Sequence, residues 1–282
     1  MTRNKQKKML RFFLYLICII LCILMIFPLI WGLASSLRTD DELFKYITPL
    51  SAKTFIPQHP TFSAYIRIFK DFAFGRAIMN TVIVTSLTVA LGLVINSLAA
   101  FAFAFFEFPL KKVLFTIVLI TFMIPFESIA MPLYKLASGI GMVDTYRGMI
   151  IPCVANGMVL FLFTQFFKEL PPALLEAARI DGASWPQVFR KIVMPLSIPV
   201  TISAALMIFI SQWNSYLWPL IIGMSKDMQV IQTALGSFQQ QRGTLWSCLY
   251  ATAILSALIP LAVFLPLQKY YVEGVMSSGV KG

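Results

Sequence analysis

Polar and aromatic side chains inside long apolar stretches are the residues of this sequence that could do chemistry. Such a group can hydrogen-bond a polar solute, but it can equally bond a neighbouring helix, and an aromatic ring can mark a membrane interface. Glu127 stands out because a carboxylate within an apolar segment is costly and suggests function by default. Its place toward the outer half of its segment favours a cavity-lining or structural group over a proton relay. The candidates are Asn96, Glu127, Asn156, Trp213, Asn214 and Tyr216.

Patterns typical of catalysis or metal binding are missing from the sequence. His59 is the single histidine and lies in a proline-containing loop, where a solvent-facing turn residue is expected. Cys18, Cys22, Cys153 and Cys248 form no CxxC pair, which argues against metal and disulfide chemistry. No glycine-rich loop with Lys and Ser or Thr is present to cradle a phosphate. We therefore expect this chain to be no enzyme and to bind no cofactor or metal.

Composition excludes a soluble enzyme and a disordered chain. Of the 282 residues, 59% are hydrophobic and only 12% are charged, whereas soluble domains carry about 25% charged residues. The net charge of +11 suggests no nucleic-acid partner, because the basic residues are scattered between apolar blocks. Five of them fall within residues 1–11, and this basic tail predicts a cytoplasmic amino terminus.

Long uncharged or nearly uncharged stretches predict an all-α integral membrane protein, because a helix needs about 20 apolar residues to cross a bilayer. The first stretch is too long for a cleavable signal peptide and is expected to be retained. Six spans place both termini in the cytoplasm, with residues 269–282 as a carboxyl-terminal tail and 168–196 as a cytoplasmic loop between spans four and five. The expected spans are about 12–36, 77–105, 113–135, 148–167, 197–222 and 247–268, within one membrane domain over 12–282.

The cytoplasmic loop predicts two short helices joined by a sharp turn. Pro171 and Pro172 suit a helix start, and Gly182 suits the left-handed backbone that ends a helix. Ser184 with Gln187 three residues later forms a capping box for the second helix. Such a hairpin can be a bland interfacial connector, or a stiff body that transmits a push.

The amino-acid pattern of this loop resembles the EAA motif of permease subunits in binding-protein-dependent ABC importers. In that family the loop is a coupling helix that docks on the cytoplasmic ATPase. The chain departs from the pattern only at Met194, where the family usually has Leu. The resemblance assigns ATPase coupling to Glu176, Ala177, Ala178, Arg179, Asp181, Gly182, Ala183, Ile192 and Pro195.

Other stretches resemble the carbohydrate-uptake branch of this family. Trp213-Asn214 and the carboxyl end look like the smaller permease of maltose-type importers. The resemblance to the family as a whole covers nearly the whole chain. In that family the tail reaches toward the ATPase dimer, which implies a contact role for Gly279, Val280, Lys281 and Gly282.

The resemblance implies a permease in a prokaryotic cell membrane that forms half of a carbohydrate pathway. The implied partners are a second homologous permease, two ATP-binding cassette subunits that bind ATP and Mg²⁺, and an extracellular solute-binding protein. The cargo would be a sugar, an oligosaccharide or a polyol phosphate. The alternatives are an ABC permease for a non-sugar solute, an ion-coupled transporter or channel acting alone, and, third, a membrane-embedded enzyme.

Overall fold

A computed structural model of the chain shows a predominantly helical protein, and the predicted all-α class is confirmed. The structure describes residues 3–236, 238–240 and 243–279. The chain divides into two compact units where the sequence predicts one domain. Unit 1 comprises Met1–Phe74 with Leu235–Leu258, and unit 2 comprises Gly75–Ala234 with Ile259–Gly282.

Unit 1 combines a long first helix with a segment of short helices. Every described side chain from Lys8 to Ile30 is exposed, so the rest of the described chain does not cover this part of the helix. Later in the chain, two-residue strands pair antiparallel, with Gln240 opposite Gly243. The elements are α1 Arg3–Ser36, α2 Asp40–Lys45, α3 Ala52–Phe55, α4 Ser63–Asp71, β1 Gln239–Gln240 and β2 Gly243–Thr244.

A buried arginine organises the short helices of unit 1. Arg38 is 2% exposed and donates to the carbonyl oxygens of Thr54 at 2.8 Å and Lys53 at 3.2 Å. Glu42 lies 3.9 Å from its Nε and accepts from the Gln58 amide at 2.7 Å. Burial lowers the pKa of Arg38, and the charge of Glu42 opposes that shift. The segment between α1 and α4 therefore folds around one internal ion pair.

Unit 2 consists of helices that are mostly short and often broken by proline. They are α5 Phe74–Phe105, α6 Lys111–Met123, α7 Phe126–Gly139, α8 Tyr146–Val154, α9 Gly157–Glu169, α10 Pro172–Ile180, α11 Trp185–Val188, a π-helical turn Phe189–Val193, α12 Met194–Leu196, α13 Ile198–Trp213, α14 Leu217–Ile222, a 3₁₀ turn Lys226–Met228 and α15 Ile231–Gly236. The last helix of the chain, α16 Trp246–Gly279, belongs to unit 1 as far as Leu258 and to unit 2 from Ile259.

Three described helices are long and apolar enough to cross a membrane as they stand. They lie within Lys8–Ser36, Phe74–Phe105 and Trp246–Lys269, and up to six crossings are reached only if three bent helix pairs each count as one. Two of these pairs are α6 with α7, bent by 102°, and α8 with α9, bent by 41°. The third joins Trp185–Leu196 to α13 through an 82° bend.

The predicted third span over 113–135 is therefore not one straight helix. Ile124 adopts an extended backbone with ψ 123°, because the ring of Pro125 disfavours the helical region for the residue before it. The predicted fifth span over 197–222 is interrupted as well, since α13 ends at Trp213 and α14 begins at Leu217. The predicted tail from residue 269 begins inside α16, which continues to Gly279.

The packed core of unit 2 joins α5, α9 and α13 to α10 and the segment after it. We call it the central cluster, and it is held by close van der Waals packing, because lipid around a membrane helix is as apolar as these side chains. Its fully or nearly buried members are Ala100, Phe101, Val159, Phe163, Phe167, Leu175, Val188, Val193, Val200, Ala204 and Ile208.

Candidate functional site

The turn between α10 and α11 is closed by the hydrogen-bond pattern of a Schellman motif. The Ala183 amide donates to the Ala178 carbonyl at 2.9 Å, and the Gly182 amide donates to the Arg179 carbonyl at 3.1 Å. Gly182 has φ +82°, and a Cβ there would meet nothing within 4 Å. Glycine is thus required at the turn by its backbone conformation and not by space.

Arg179 braces this turn from the side. Its Nη1 donates to the Ala183 carbonyl at 2.6 Å, and its guanidinium lies 4.9 Å from the centroid of the Trp185 ring. The Trp185 ring in turn packs edge-on against Phe106, with centroids 4.9 Å apart. Arg179 is therefore engaged within the hairpin, which we define as residues 172–196.

The second half of the 172–196 hairpin begins as the sequence predicts. The Gln187 side chain accepts from the Ser184 amide at 2.7 Å, as in a capping box. Ile192 lies half-buried in the π-helical turn, and Pro195 is exposed in α12. The Ser197 hydroxyl donates to the Val193 carbonyl at 2.6 Å, and the chain then bends by 82° into α13.

The 172–196 hairpin has one face inside the protein and one outside. Leu175 and Val188 are buried in the central cluster, and Ala178 and Ala183 pack against it. Glu176, Ala177 and Asp181 are exposed. Ile180 is 85% exposed, which is unusual for a side chain of its size. The residues assigned to coupling are thus divided between an inner attachment and an outer surface.

A second candidate site is a polar cavity of about 380 Å³ in unit 2. It lies at helix breaks: Glu127 is in the first turn of α7 just after the 102° break, Asn156 caps α9, and Tyr216 lies between α13 and α14. Asn156 accepts from the Val159 amide at 3.1 Å. The lining residues are Phe126, Glu127, Pro152, Cys153, Ala155, Asn156, Ile208, Ser211, Gln212, Ser215, Tyr216, Leu217 and Trp218.

Three of the six predicted pathway residues do not line this cavity. Asn96 is 2% exposed and donates to the Val154 carbonyl at 2.8 Å while accepting from the Asn156 amide at 3.0 Å. Trp213 is 2% exposed, with its ring 5.5 Å from that of Phe209. The exposed Asn214 donates back to the Ile210 carbonyl at 2.9 Å. The other three, Glu127, Asn156 and Tyr216, do line it.

Four polar lining residues were missed by the sequence reasoning. Ser211, Gln212 and Ser215 lie near the end of α13, and Trp218 donates its indole N–H to the Gly148 carbonyl at 3.0 Å. For the first three, the available signal was the polar run Ser211-Gln212-Trp213-Asn214-Ser215. Only the break after Trp213 decides which of them faces the cavity.

The predicted tail contact is only partly placed by the structure. Gly279 is the last residue of α16, and Val280, Lys281 and Gly282 lie outside the described residues. Among the residues that were described, no group of three or more His, Cys, Asp or Glu side chains could hold a metal ion.

Comparison with known proteins identifies the family. The model of the binding-protein-dependent transport system inner membrane component matches residues 92–276, which is more than half of the chain. The chain belongs to this family. It is a multi-pass inner membrane permease.

Individual relatives agree with this assignment. The permease is 33% identical over 269 residues to the sn-glycerol-3-phosphate transport system permease protein UgpE of Rhizobium meliloti (strain 1021), covering 94% of this chain and 95% of that protein. It is 29% identical over 283 residues to the arabinooligosaccharides transport system permease protein AraQ of Bacillus subtilis (strain 168), covering 100% of both.

The fold is shared with a solved transporter. A chain in the crystal structure of a bacterial ABC transporter involved in the import of the acidic polysaccharide alginate superposes with a TM-score of 0.83 at 20% identity, covering 96% of this chain and 98% of that chain. The region matched by the family model contains both the 172–196 hairpin and the cavity.

Proposed function

We propose that this permease is the transmembrane subunit of an ATP-driven importer for a carbohydrate delivered by an extracellular solute-binding protein. By carbohydrate we mean a sugar, an oligosaccharide or a polyol phosphate. The proposal is supported by relatives named for sn-glycerol-3-phosphate and arabinooligosaccharides and by the likeness to an alginate importer. The permease works with a second homologous permease and two ATP-binding cassette subunits, with both of its termini in the cytoplasm.

The permease catalyses no reaction itself and binds no cofactor. Its sequence has no Walker-type loop, so ATP and Mg²⁺ bind on the partner ATPase. Energy therefore reaches this chain only through contact between subunits.

The single observation that carries this proposal is the way in which the 172–196 hairpin is attached. Leu175, Val188 and Val193 anchor it in the central cluster, together with Phe101 of α5 and Phe167 of α9. The Schellman turn and the Arg179 brace keep its two arms in one geometry. A force applied to the exposed surface is therefore passed to several helices at once, because packed cores shift as discrete bodies.

The outer surface of the 172–196 hairpin is the proposed ATPase contact. Glu176 and Asp181 supply negative charge. Ile180 supplies an apolar side chain that is 85% exposed and that a partner could cover. An ATPase that closes on nucleotide moves this surface, and the cavity lined by Asn156 and Tyr216 then changes its access from one side of the membrane to the other.

The test is purification of the tagged permease from its host, followed by identification of the proteins that accompany it. Recovery of an ATPase and a second permease, with ATP-dependent carbohydrate uptake in vesicles, supports the proposal. Uptake that persists without any associated ATPase, driven by an ion gradient, contradicts it and favours the ion-coupled alternative.

A pair of glycine variants tests the hairpin itself. Gly182→Val places a β-branched residue at φ +82°, and Gly141→Val does the same at φ +69° in the loop after α7; neither Cβ meets an atom within 4 Å. Both carry a similar backbone strain of about 1–2 kcal/mol. We expect Gly182→Val to lower uptake at least about tenfold or prevent recovery of the ATPase, and Gly141→Val to leave both near wild type. Equal effects of the two variants would count against a coupling role.

A further inference from the structure

The only formal charge among the residues that line the cavity is negative. Glu127 is the single ionisable carboxylate among the lining residues, and none of these residues is a lysine, arginine or histidine. The ion pairs found among the described residues join Arg38 to Glu42, Arg67 to Asp71 and Lys111 to Glu107, so none neutralises Glu127. Glu127 thus lines the cavity without a basic partner among the residues that the structure describes.

The position of Glu127 keeps it accessible. It lies in the first turn of the 14-residue helix α7, just after the break that follows α6. Its side chain is exposed, as is that of Tyr216 across the cavity, at 49%. A solute in the cavity therefore meets this carboxylate directly.

The remaining polar groups of the lining are neutral. Asn156, Ser211, Gln212 and Ser215 carry amides and hydroxyls, which both donate and accept hydrogen bonds. The volume of about 380 Å³ is within the range of about 300–1,000 Å³ found for small-molecule sites. Hydroxyl groups of a sugar match this lining, because each can donate to the carboxylate or accept from an amide.

We propose that Glu127 makes this cavity selective for uncharged carbohydrates and against carbohydrates that carry a phosphate or a carboxylate. The inference rests on the proposed function and narrows its substrate class. An uncharged sugar donates hydroxyl hydrogen bonds to Glu127, and bonds to a charged acceptor are stronger than neutral ones. An anionic sugar instead brings a like charge close to Glu127, and the two negative charges repel at this short distance even where water reaches the site.

The experiment compares two glycosides that differ in one group. The probes are p-nitrophenyl β-D-glucoside and p-nitrophenyl β-D-glucuronide, in which a neutral CH₂OH is replaced by a carboxylate. Their binding is measured by saturation-transfer NMR on the complete permease–ATPase assembly in lipid nanodiscs. The proteins are wild type, Glu127→Gln, and Glu107→Gln as a matched control. Glu107 is an exposed carboxylate that pairs with Lys111 and does not line the cavity.

Wild type and Glu107→Gln should bind the glucoside at least about tenfold more tightly than the glucuronide. Glu127→Gln should reduce that preference to about threefold or less, because only the charge has been removed. Equal binding of both probes to wild type, an unchanged preference in Glu127→Gln, or no binding of either probe would overturn the inference. Failure of the proposed function is seen separately, as the absence of an ATPase from the purified assembly.

Discussion

Replacing Asn96 should destabilise the permease without changing its affinity for solute. The Asn96 amide crosses from α5 to the break between α8 and α9, where Val154 accepts from it and the Asn156 amide donates to it. It also donates to the Gly92 carbonyl at 2.6 Å. In Asn96→Ala the Val154 carbonyl and the Asn156 amide lose these partners at a buried site.

The magnitude follows from counting these bonds. Side-chain hydrogen bonds between membrane helices contribute about 0.6 kcal/mol on average and up to about 1.7 kcal/mol each. The bond to Gly92 lies within α5, so two bonds cross between helices and give about 1–3 kcal/mol. Since 1 kcal/mol corresponds to about 2–4 °C for a domain of 150–250 residues, we expect Asn96→Ala to lower the melting temperature of the detergent-purified protein by about 3–12 °C.

Asn214→Ala is the matched control, since Asn214 is exposed and makes one described bond, to the Ile210 carbonyl within its own helix. Its melting temperature should change by less than about 2 °C. Thermal melting followed by fluorescence-detected size-exclusion chromatography measures both variants, and the KM for uptake is measured on the folded fraction. If Asn96→Ala melts like wild type and raises KM, the reasoning is refuted and Asn96 acts on the solute.

Two further substitutions test packing in the two units. Gly148→Ala should abolish recovery of folded protein, because its Cβ would clash with the backbone carbonyl of Met142. Gly139→Ala is the control and should express normally, because a Cβ there meets nothing within 4 Å. Expression yield and elution profile measure both variants. Arg38→Met leaves the buried Glu42 without its cation and should destabilise unit 1 by about 3–5 kcal/mol, seen as faster proteolysis of residues 37–74. Adding Glu42→Gln should offset this effect only in part, because the Thr54 and Lys53 carbonyls still lose the bonds from Arg38.

Local chemistry made the 172–196 hairpin predictable. The glycine that ends α10 and the Ser184 and Gln187 pair that begins α11 act through neighbours within five residues, and the structure has both as predicted. The apolar run lengths gave the membrane-protein class for the same reason, because hydropathy is a property of each stretch by itself. The role of the hairpin in coupling stays a prediction.

Features that depend on distant partners could not be predicted. Two of the three bond partners of Asn96 are backbone groups 58 and 60 residues away, and no local pattern marks them. From the sequence, Arg38 is expected to be an exposed charge at the end of the first span. In the structure it is buried, because α3 folds against it and Thr54 accepts its hydrogen bond. Which residues line the cavity depends on where the helices break. The break before Pro125 could not be predicted, because the apolar run that contains it has the length expected of one continuous span.

The uncovered first helix has a consequence for how its sequence can change. From Lys8 to Ile30 no described side chain is buried by the remainder of the chain. Apart from Phe27, whose ring lies 6.2 Å from that of Phe55, exchanges among Leu, Ile, Phe and Met at these positions therefore disturb little internal packing, whereas in a core similar exchanges cost up to about 1.5 kcal/mol. Within this chain, the first helix is constrained in its hydrophobicity and length but not in the identity of each apolar residue. The residues around Phe163 are constrained in identity as well, because they pack in the central cluster.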